Sequence, residues 1–224
     1  MLNPADFETI IIPDEFGSDE DGNTTYSMDS VLEQVINLSD TANIEWRYGA
    51  SKMVFLLDST VIKLPFEGYE TFLYDYETEE YYDEPTFEYY DNHDYCALET
   101  NIYAEAEECG VSQFFASTTI GGYTLNNKPF YISEKVNEYY TINRELDKPS
   151  PASSKKALEI RENNYCGGLD TTWIARAIDW YGEREVDNLL AFIDMMNIND
   201  LSYTNVGFRA DGSPVLMDYS GFWS

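Results

Sequence analysis

Basic residues are scarce in this chain and unevenly spread. No Lys or Arg occurs in residues 1–46, and none in residues 64–127. Over 224 residues, 42 acids face 13 bases, for a formal charge of −29. Binding a phosphate backbone needs a positive footprint, so direct contact with nucleic acid is excluded. The same field attracts basic partners and keeps a protein soluble. Histidine is almost absent. The single His93 lies in an acidic loop and reads as a solvated residue, which rules out His-rich zinc sites and argues against a Ser-His-Asp triad. Cys96, Cys109 and Cys166 lack metal-ligand spacing, and so sparse and odd a count fits free thiols in a reducing cytosol. No run approaches the roughly 18 apolar residues of a membrane span. The N-terminus has no basic region followed by an apolar stretch, so no secretory signal is visible. A cytoplasmic location without a membrane partner is expected. No G-x-x-x-x-G-K-[ST] occurs, which excludes a Walker-type site.

What the chain does have is concentrated near its end. Residues 198–221 read INDLSYTNVGFRADGSPVLMDYSG. Two short apolar runs, Val206-Gly207-Phe208 and Val215-Leu216-Met217, flank an Asp-Gly turn and read as a β-hairpin. A hairpin returns its ends to one place, so Asn205 entering and Asp218 leaving come out adjacent. Asp200 on the preceding loop lies within reach of both. One amide and two carboxylates suit Mg²⁺, a hard cation that takes oxygen ligands. The plain alternative is an acidic hairpin in a very acidic protein.

This stretch resembles the protein-kinase-like family, whose catalytic loop reads H-R-D-L-x-x-x-N and whose following hairpin leads to D-F-G. Asp200-Leu201 and Asn205 match the D-L-x-x-x-N part, and Asp218-Tyr219-Ser220-Gly221 stands where D-F-G belongs. The family's His and Arg are here Ile198 and Asn199, and the glycine comes one place late.

Upstream, strands are expected at 44–47, 52–57 and 60–64. Val61-Ile62-Lys63 resembles the family's V-A-I-K strand, in which the lysine holds the α/β phosphates of ATP. A surface lysine on an edge strand is the competing reading. The turn at Tyr48-Gly49-Ala50-Ser51 is a reduced glycine loop with Gly49 as its only glycine, in which the small Ala50 and Ser51 would still let backbone N–H groups approach phosphate; by the resemblance Gly49 and Ser51 border the nucleotide. A helix is expected from about Asp94 to Cys109, stopped by Gly110. Glu99 shares a face with Ile102, Tyr103 and Ala106, so it points inward and, by the resemblance, pairs with Lys63; Glu105 is the solvated competitor. Residues 114–119 and 128–136 read as two more strands. Ser133 to Val136 then resembles the hinge, with Glu134 and Val136 at the adenine edge.

The remaining segments carry weaker patterns. Residues 1–26 read as mostly flexible, with Ile10 to Ile12 as a short strand, and a helix follows from Ser27 or Asp29. Residues 66–95 hold eleven acids, no base and a high density of Tyr and Phe. Alternating rings at Phe72, Tyr74 and Tyr76 suggest short strands or a hairpin. Residues 137–169, with an amphipathic Lys155 to Arg161 between Pro149-Ser150-Pro151 and Gly167-Gly168, read as a loop-rich insertion, and two helices follow, from Asp170 to Tyr181 and from Glu183 to Met196. The expected fold is α+β and protein-kinase-like. It has a five-stranded antiparallel small lobe over 44–136, with an acidic insertion at 66–95. A minimal helical lobe over 137–224 is truncated after the D-F-G-like motif, and an acidic segment over 1–43 precedes both.

The resemblance spans about residues 44–221; the Gly49-Ala50-Ser51-Lys52 turn and Tyr95-Cys96 before the helix glutamate also resemble small kinase-like proteins of bacteriophages. It implies ATP and Mg²⁺ as cofactors, Asp200, Lys63 and Glu99 as catalytic residues, and Asn205 and Asp218 as metal ligands. The acceptor would be a small molecule or a basic protein. The surface a longer kinase would cover is expected to be closed by residues 140–196, with the N-terminal segment or a dimer as the other ways. The second reading is a pseudokinase-like acidic scaffold that mimics nucleic acid, inhibits a basic nucleic-acid-binding host protein and serves phage counter-defence.

Overall fold

The computed structural model describes residues 2–23, 26–39, 44–81, 84–90, 94–138 and 148–220. His93 and Gly221 lie outside them. The fold is α+β. The chain divides into two compact units, residues 1–98 with 119–133, and residues 99–118 with 134–224. The boundaries read from sequence, after residues 43 and 136, do not coincide with this division.

The first unit is organised on a five-stranded sheet of order β2-β3-β4-β10-β9. Its strands are β2 (Glu45–Tyr48), β3 (Lys52–Leu56), β4 (Thr60–Pro65), β9 (Thr118–Tyr123) and β10 (Pro129–Glu134). β2 pairs antiparallel with β3, and β3 with β4, through two tight turns. The 114–119 strand expected from sequence starts late: Ser112–Phe114 is a 3-10 turn, and Phe115 instead bridges to Leu216.

One face of this sheet carries Met53, Phe55, Ile62, Leu64 and Phe130, all fully buried. They pack against Phe7, Ile10, Ile12 and Phe16, and against Met28, Val31 and Val35 of α1 (Tyr26–Leu38). This corrects the flexible reading of residues 1–26. The segment is irregular, with a 3-10 turn at Pro4–Thr9 capped by Asn3 and no strand at 10–12, yet it closes the core. Phe7 meets Phe55 at 5.3 Å and Phe130 at 6.0 Å between ring centroids. Each such ring contributes about 1.5–3 kcal/mol on burial, enough to order a chain with no periodic pattern.

The acidic stretch forms strands. β1 (Gly17–Asp19) runs parallel to β5 (Gly68–Thr71), which pairs antiparallel with β8 (Thr86–Tyr89). β6 (Tyr74–Asp75) and β7 (Glu80–Tyr81) form a small hairpin of their own. Gly17 faces Gly68 across the parallel pair, and a Cβ on Gly17 would fall 1.8 Å from the Gly68 carbonyl oxygen. Close strand approach therefore needs glycine here.

α2 (Tyr95–Glu108) begins in the first unit, and its residues from Glu99 onward belong to the second. Asp94 caps it, its Oδ1 accepting from the amides of Cys96 and Ala97 at 2.9 Å. The second unit continues with β11 (Asn137–Glu138), α3 (Pro151–Asn163), α4 (Thr171–Tyr181) and α5 (Glu183–Met195). It ends in the hairpin of β12 (Val206–Phe208) and β13 (Pro214–Leu216). α3 replaces much of the expected loop-rich insertion: Ser150 caps it, accepting from the Ser153 amide at 3.1 Å, and Pro151 opens it. Asp170 caps α4, and Gly182, at φ +94°, separates α4 from α5. Trp173, Leu189, Ile193 and Phe208 are buried in this unit. β11 extends the hairpin to three strands, where Gly207 lets the Asn137 carbonyl approach. Among the described residues, no helix is long and apolar enough to cross a membrane.

Candidate functional site

The hairpin folds as its sequence dictates. Val206 faces Leu216 and Phe208 faces Pro214, while Asp211 and Gly212 form the turn. The Ser213 amide and hydroxyl both donate to the Asp211 carboxylate, which holds its pKa below the ordinary range. One step beyond the strands, the Met217 amide donates to the Asn205 carbonyl at 3.0 Å. Asn205 and Asp218 therefore leave the same end of the hairpin.

The preceding loop reaches back to that end. Asn205 Nδ2 donates to the Asp200 carbonyl at 2.6 Å and lies 3.3 Å from Asp200 Oδ2. The amide nitrogen is thereby committed, and the Asn205 Oδ1 is left as an oxygen donor with only a 3.3 Å contact from the Thr204 hydroxyl. Asp200 is exposed and sits at φ +60°, an uncommon conformation for a residue other than glycine. Its loop is held from below. The Leu201 amide donates to the Gly167 carbonyl at 2.7 Å, and the Tyr165 hydroxyl donates to the Ile198 carbonyl at 3.0 Å. A Cβ on Gly167, at φ +60°, would meet the Ile198 carbonyl at 2.9 Å. Ile198 and Leu201 are buried, anchoring the loop while Asp200 stays outside.

Next to Asp218, Tyr219 is fully buried. Its hydroxyl donates to the Ala116 carbonyl at 2.9 Å, and its ring packs edge-on against Phe115 at 4.9 Å. Burial, with the Glu99 carboxylate nearby, pushes its pKa far up, so it stays a neutral donor. Glu99 itself has no solvent exposure, as its apolar face predicts.

Arg209 was not singled out by its sequence. Its Nε and Nη2 reach the two Glu134 carboxylate oxygens at 2.8 and 3.0 Å. Its other donors reach the Gln113 and Phe115 carbonyls at 2.8 and 2.9 Å. Burial works against its charge, but the hydrogen-bonded Glu134 outweighs that and raises its pKa. The visible signal was a lone guanidinium between two apolar runs. Glu134 thus has its side chain engaged by Arg209 and its amide donated to the Ser117 carbonyl at 2.9 Å. Val136 is half-buried near Gly207.

In the first unit, Lys63 is buried on β4 opposite Val54 of β3. The Gly49–Ser51 turn is closed by the Gly49 amide donating to the Lys52 carbonyl at 3.0 Å. The Ala50 carbonyl accepts from the Tyr90 hydroxyl at 2.5 Å and from Ser18 Oγ at 3.4 Å. Burial pushes the Tyr90 pKa up to about 12. No atom would obstruct a Cβ on Gly49, so packing does not require glycine there. Ser51 is buried.

The second unit therefore gathers Asp200 and Asn205 in direct contact, with Asp218 leaving the same hairpin end and Glu99 beside Tyr219. Lys63, Gly49 and Ser51 belong to the first unit. Asn205 and two carboxylates have the donor chemistry of a Mg²⁺ site, which one amide and two acids fit better than they fit a softer metal. No group of three or more His, Cys, Asp or Glu among the described residues is arranged to hold a metal. A scan against protein-family models finds none that matches this chain, and a search of curated proteins finds no significant match.

Proposed function

We propose that this chain is a kinase-like, ATP- and Mg²⁺-dependent phosphotransferase, with a small molecule or a basic protein as acceptor. The observation that carries the reading is the Asn205 amide bonded to the Asp200 backbone, beside the hairpin end that bears Asp218. Supporting it are a five-stranded sheet with a buried lysine on its third strand and a buried glutamate on the helix that follows. In this reading Lys63, positioned by Glu99, holds the α/β phosphates. Asn205 and Asp218 hold Mg²⁺, which neutralises phosphate charge when bound. Asp200 orients the acceptor hydroxyl and takes its proton. Gly49 and Ser51 border the phosphates, and Glu134 and Val136 lie at the adenine edge.

The test is a thermal-shift titration with ATP, with and without Mg²⁺. Ligand at a hundred times its Kd adds about 2.7 kcal/mol, which raises the midpoint of a chain this size by about 5–10 °C. No shift at millimolar ATP and Mg²⁺ would sink nucleotide binding and leave a pseudokinase.

A second reading is favoured by the charge around the Gly49 turn. A Cβ on Gly22 would stand 3.9 Å from the Ala50 amide, so the acidic Asp19-Glu20-Asp21 run leads up to the turn that would cradle phosphates. In that reading the chain is a pseudokinase-like scaffold that mimics nucleic acid and inhibits a basic nucleic-acid-binding protein, as a phage counter-defence protein would. Loss of function on Asp200→Ala supports the first reading. Function retained by Asp200→Ala but lost on reversing Glu77, Glu79 and Glu84 to Lys supports the second.

A further inference from the structure

The β6–β7 hairpin presents aromatic rings to solvent. Tyr74 faces Tyr81 across the strands, with centroids 4.9 Å apart. Tyr76 packs edge-on against Tyr74 at 5.1 Å. Yet Tyr76 is 87% exposed and Tyr81 68%, and the preceding Phe72 and Leu73 are exposed as well. Rings that cluster with one another while facing water form an apolar patch that stays exposed among the described residues, and such patches mark interaction sites.

The surrounding charge specifies what covers it. Glu77 and Glu79 lie in the turn between the two strands, Glu84 follows Tyr81 by three residues, all three are exposed, and no Lys or Arg occurs from residue 64 to 127. The Asp75 carboxylate accepts the Glu77 amide at 2.8 Å and the Thr78 amide at 3.3 Å, which sets the turn and keeps that acid ionised. A tyrosine face attracts cations through its quadrupole, and a guanidinium both stacks on the ring and pairs with carboxylates in a planar fork. An ammonium does only part of this. A second copy of this chain would bring the same excess of acid to the patch, so the charge disfavours it.

We infer that the β6–β7 hairpin is a docking surface for an arginine-rich segment of a protein partner, with guanidinium groups seated on Tyr74, Tyr76 and Tyr81 and paired to the flanking glutamates. This deepens the second reading above by naming the partner's chemistry, and it also holds if the partner is a phosphotransfer substrate. Displacement of duplex DNA from protamine tests the mimicry reading separately, since docking can succeed where displacement fails.

The experiment measures binding of two labelled peptides to the full chain, one of eight Arg alternating with Gly and one of eight Lys alternating with Gly. The Arg peptide binds tighter at equal charge. Tyr76→Ser with Tyr81→Ser weakens it about tenfold and removes the preference over Lys, whereas Tyr76→Phe with Tyr81→Phe keeps both. Glu77→Gln, Glu79→Gln and Glu84→Gln together weaken binding more than the charge-matched set Glu107→Gln, Glu108→Gln and Glu162→Gln. All these side chains are exposed, and the circular dichroism of each variant checks its fold. Equal effects from the two charge-matched sets, or no Arg preference, would show only the diffuse field of an acidic protein and overturn the inference. Sedimentation that finds a wild-type dimer dissociated by the Ser variants would overturn it in favour of self-association.

Discussion

Arg209 and Glu134 form a two-point ion pair, with both guanidinium–carboxylate distances at or below 3.0 Å. The pair joins the hairpin to the end of β10, and the same guanidinium satisfies the carbonyls of Gln113 and Phe115. Replacing Arg209 with Met would leave the half-buried Glu134 carboxylate and the Phe115 carbonyl without this donor, while the Gln113 carbonyl keeps the Tyr181 hydroxyl at 3.1 Å. Breaking a fully buried pair costs about 3–5 kcal/mol and an exposed one about 0.2–1, so a half-buried pair should cost about 2. Arg209→Lys should recover less than half of that, because an ammonium cannot span both carboxylate oxygens. Urea unfolding of the two variants and of Glu134→Gln checks the ranking; equal stability of Met and Lys variants would show that the fork geometry does not matter.

The Gly17–Gly68 contact makes a sharper prediction. Gly17→Ala places a methyl 1.8 Å from a backbone oxygen, which no rotamer change can relieve. β1 should separate from β5, loosening Phe16 from the core and Ser18 from the Ala50 carbonyl. Amide exchange over residues 16–20 should rise towards that of free chain. Gly49→Ala is the control, with open space and no positive φ, and should change stability by less than about 0.5 kcal/mol.

Legibility tracked periodicity. The hairpin, the strands from 45 to 65 and the helices bearing Glu99, Trp173 and Leu189 all announce themselves by alternation, helical spacing or a cap. The segment holding Phe7, Ile10, Ile12 and Phe16 does not. Its apolar residues are separated by Pro13, Thr9 and acids at irregular intervals, so no sustained period of 2 or 3.6 registers. Only the tertiary core explains why it is ordered. α3 carried a legible start in Ser150-Pro151, but its outer face is charged and its inner face holds little beyond Ala157 and Ile160. At the candidate site, the departure of Asn205 and Asp218 from one hairpin end followed from hairpin geometry. The Arg209 network did not, because two of its partners are backbone carbonyls, which sequence cannot display, and the third, Glu134, is far away along the chain.

Acid crowding in the first unit gives a pH dependence. Burial raises the pKa of Glu70, and Asp19, its cross-strand neighbour, and Glu15 raise it further. A carboxyl whose folded pKa lies above its unfolded value binds its proton better when folded. Its favourable contribution is therefore present at low pH and is lost as pH rises through the folded pKa. Other carboxylates are shifted the opposite way, such as Asp179, so the Glu70 share must be read by difference. Glu70→Gln should raise the melting temperature at pH 7 more than at pH 4. A larger gain at pH 4 would reverse the assignment.

The Asp200–Asn205 pair allows binding and chemistry to be separated. In the phosphotransferase reading, Asp218→Asn removes one ligand charge with little change in shape. In the wild type, Mg²⁺ should increase the thermal shift given by ATP; in Asp218→Asn the curves with and without Mg²⁺ should coincide. Asp200→Ala should behave differently, because Asp200 is exposed and contacts Asn205 chiefly through its backbone carbonyl, which alanine retains. That variant should keep the Mg²⁺-dependent shift while phosphoryl transfer, or background ATP hydrolysis where no acceptor is supplied, falls about 10²–10⁴-fold, the range of general-base catalysis. Loss of the shift in Asp200→Ala would instead make Asp200 a metal ligand. A full shift with unchanged turnover would remove it from the chemistry, leaving its left-handed backbone as the loop's way of presenting the Asn205 amide contact alone.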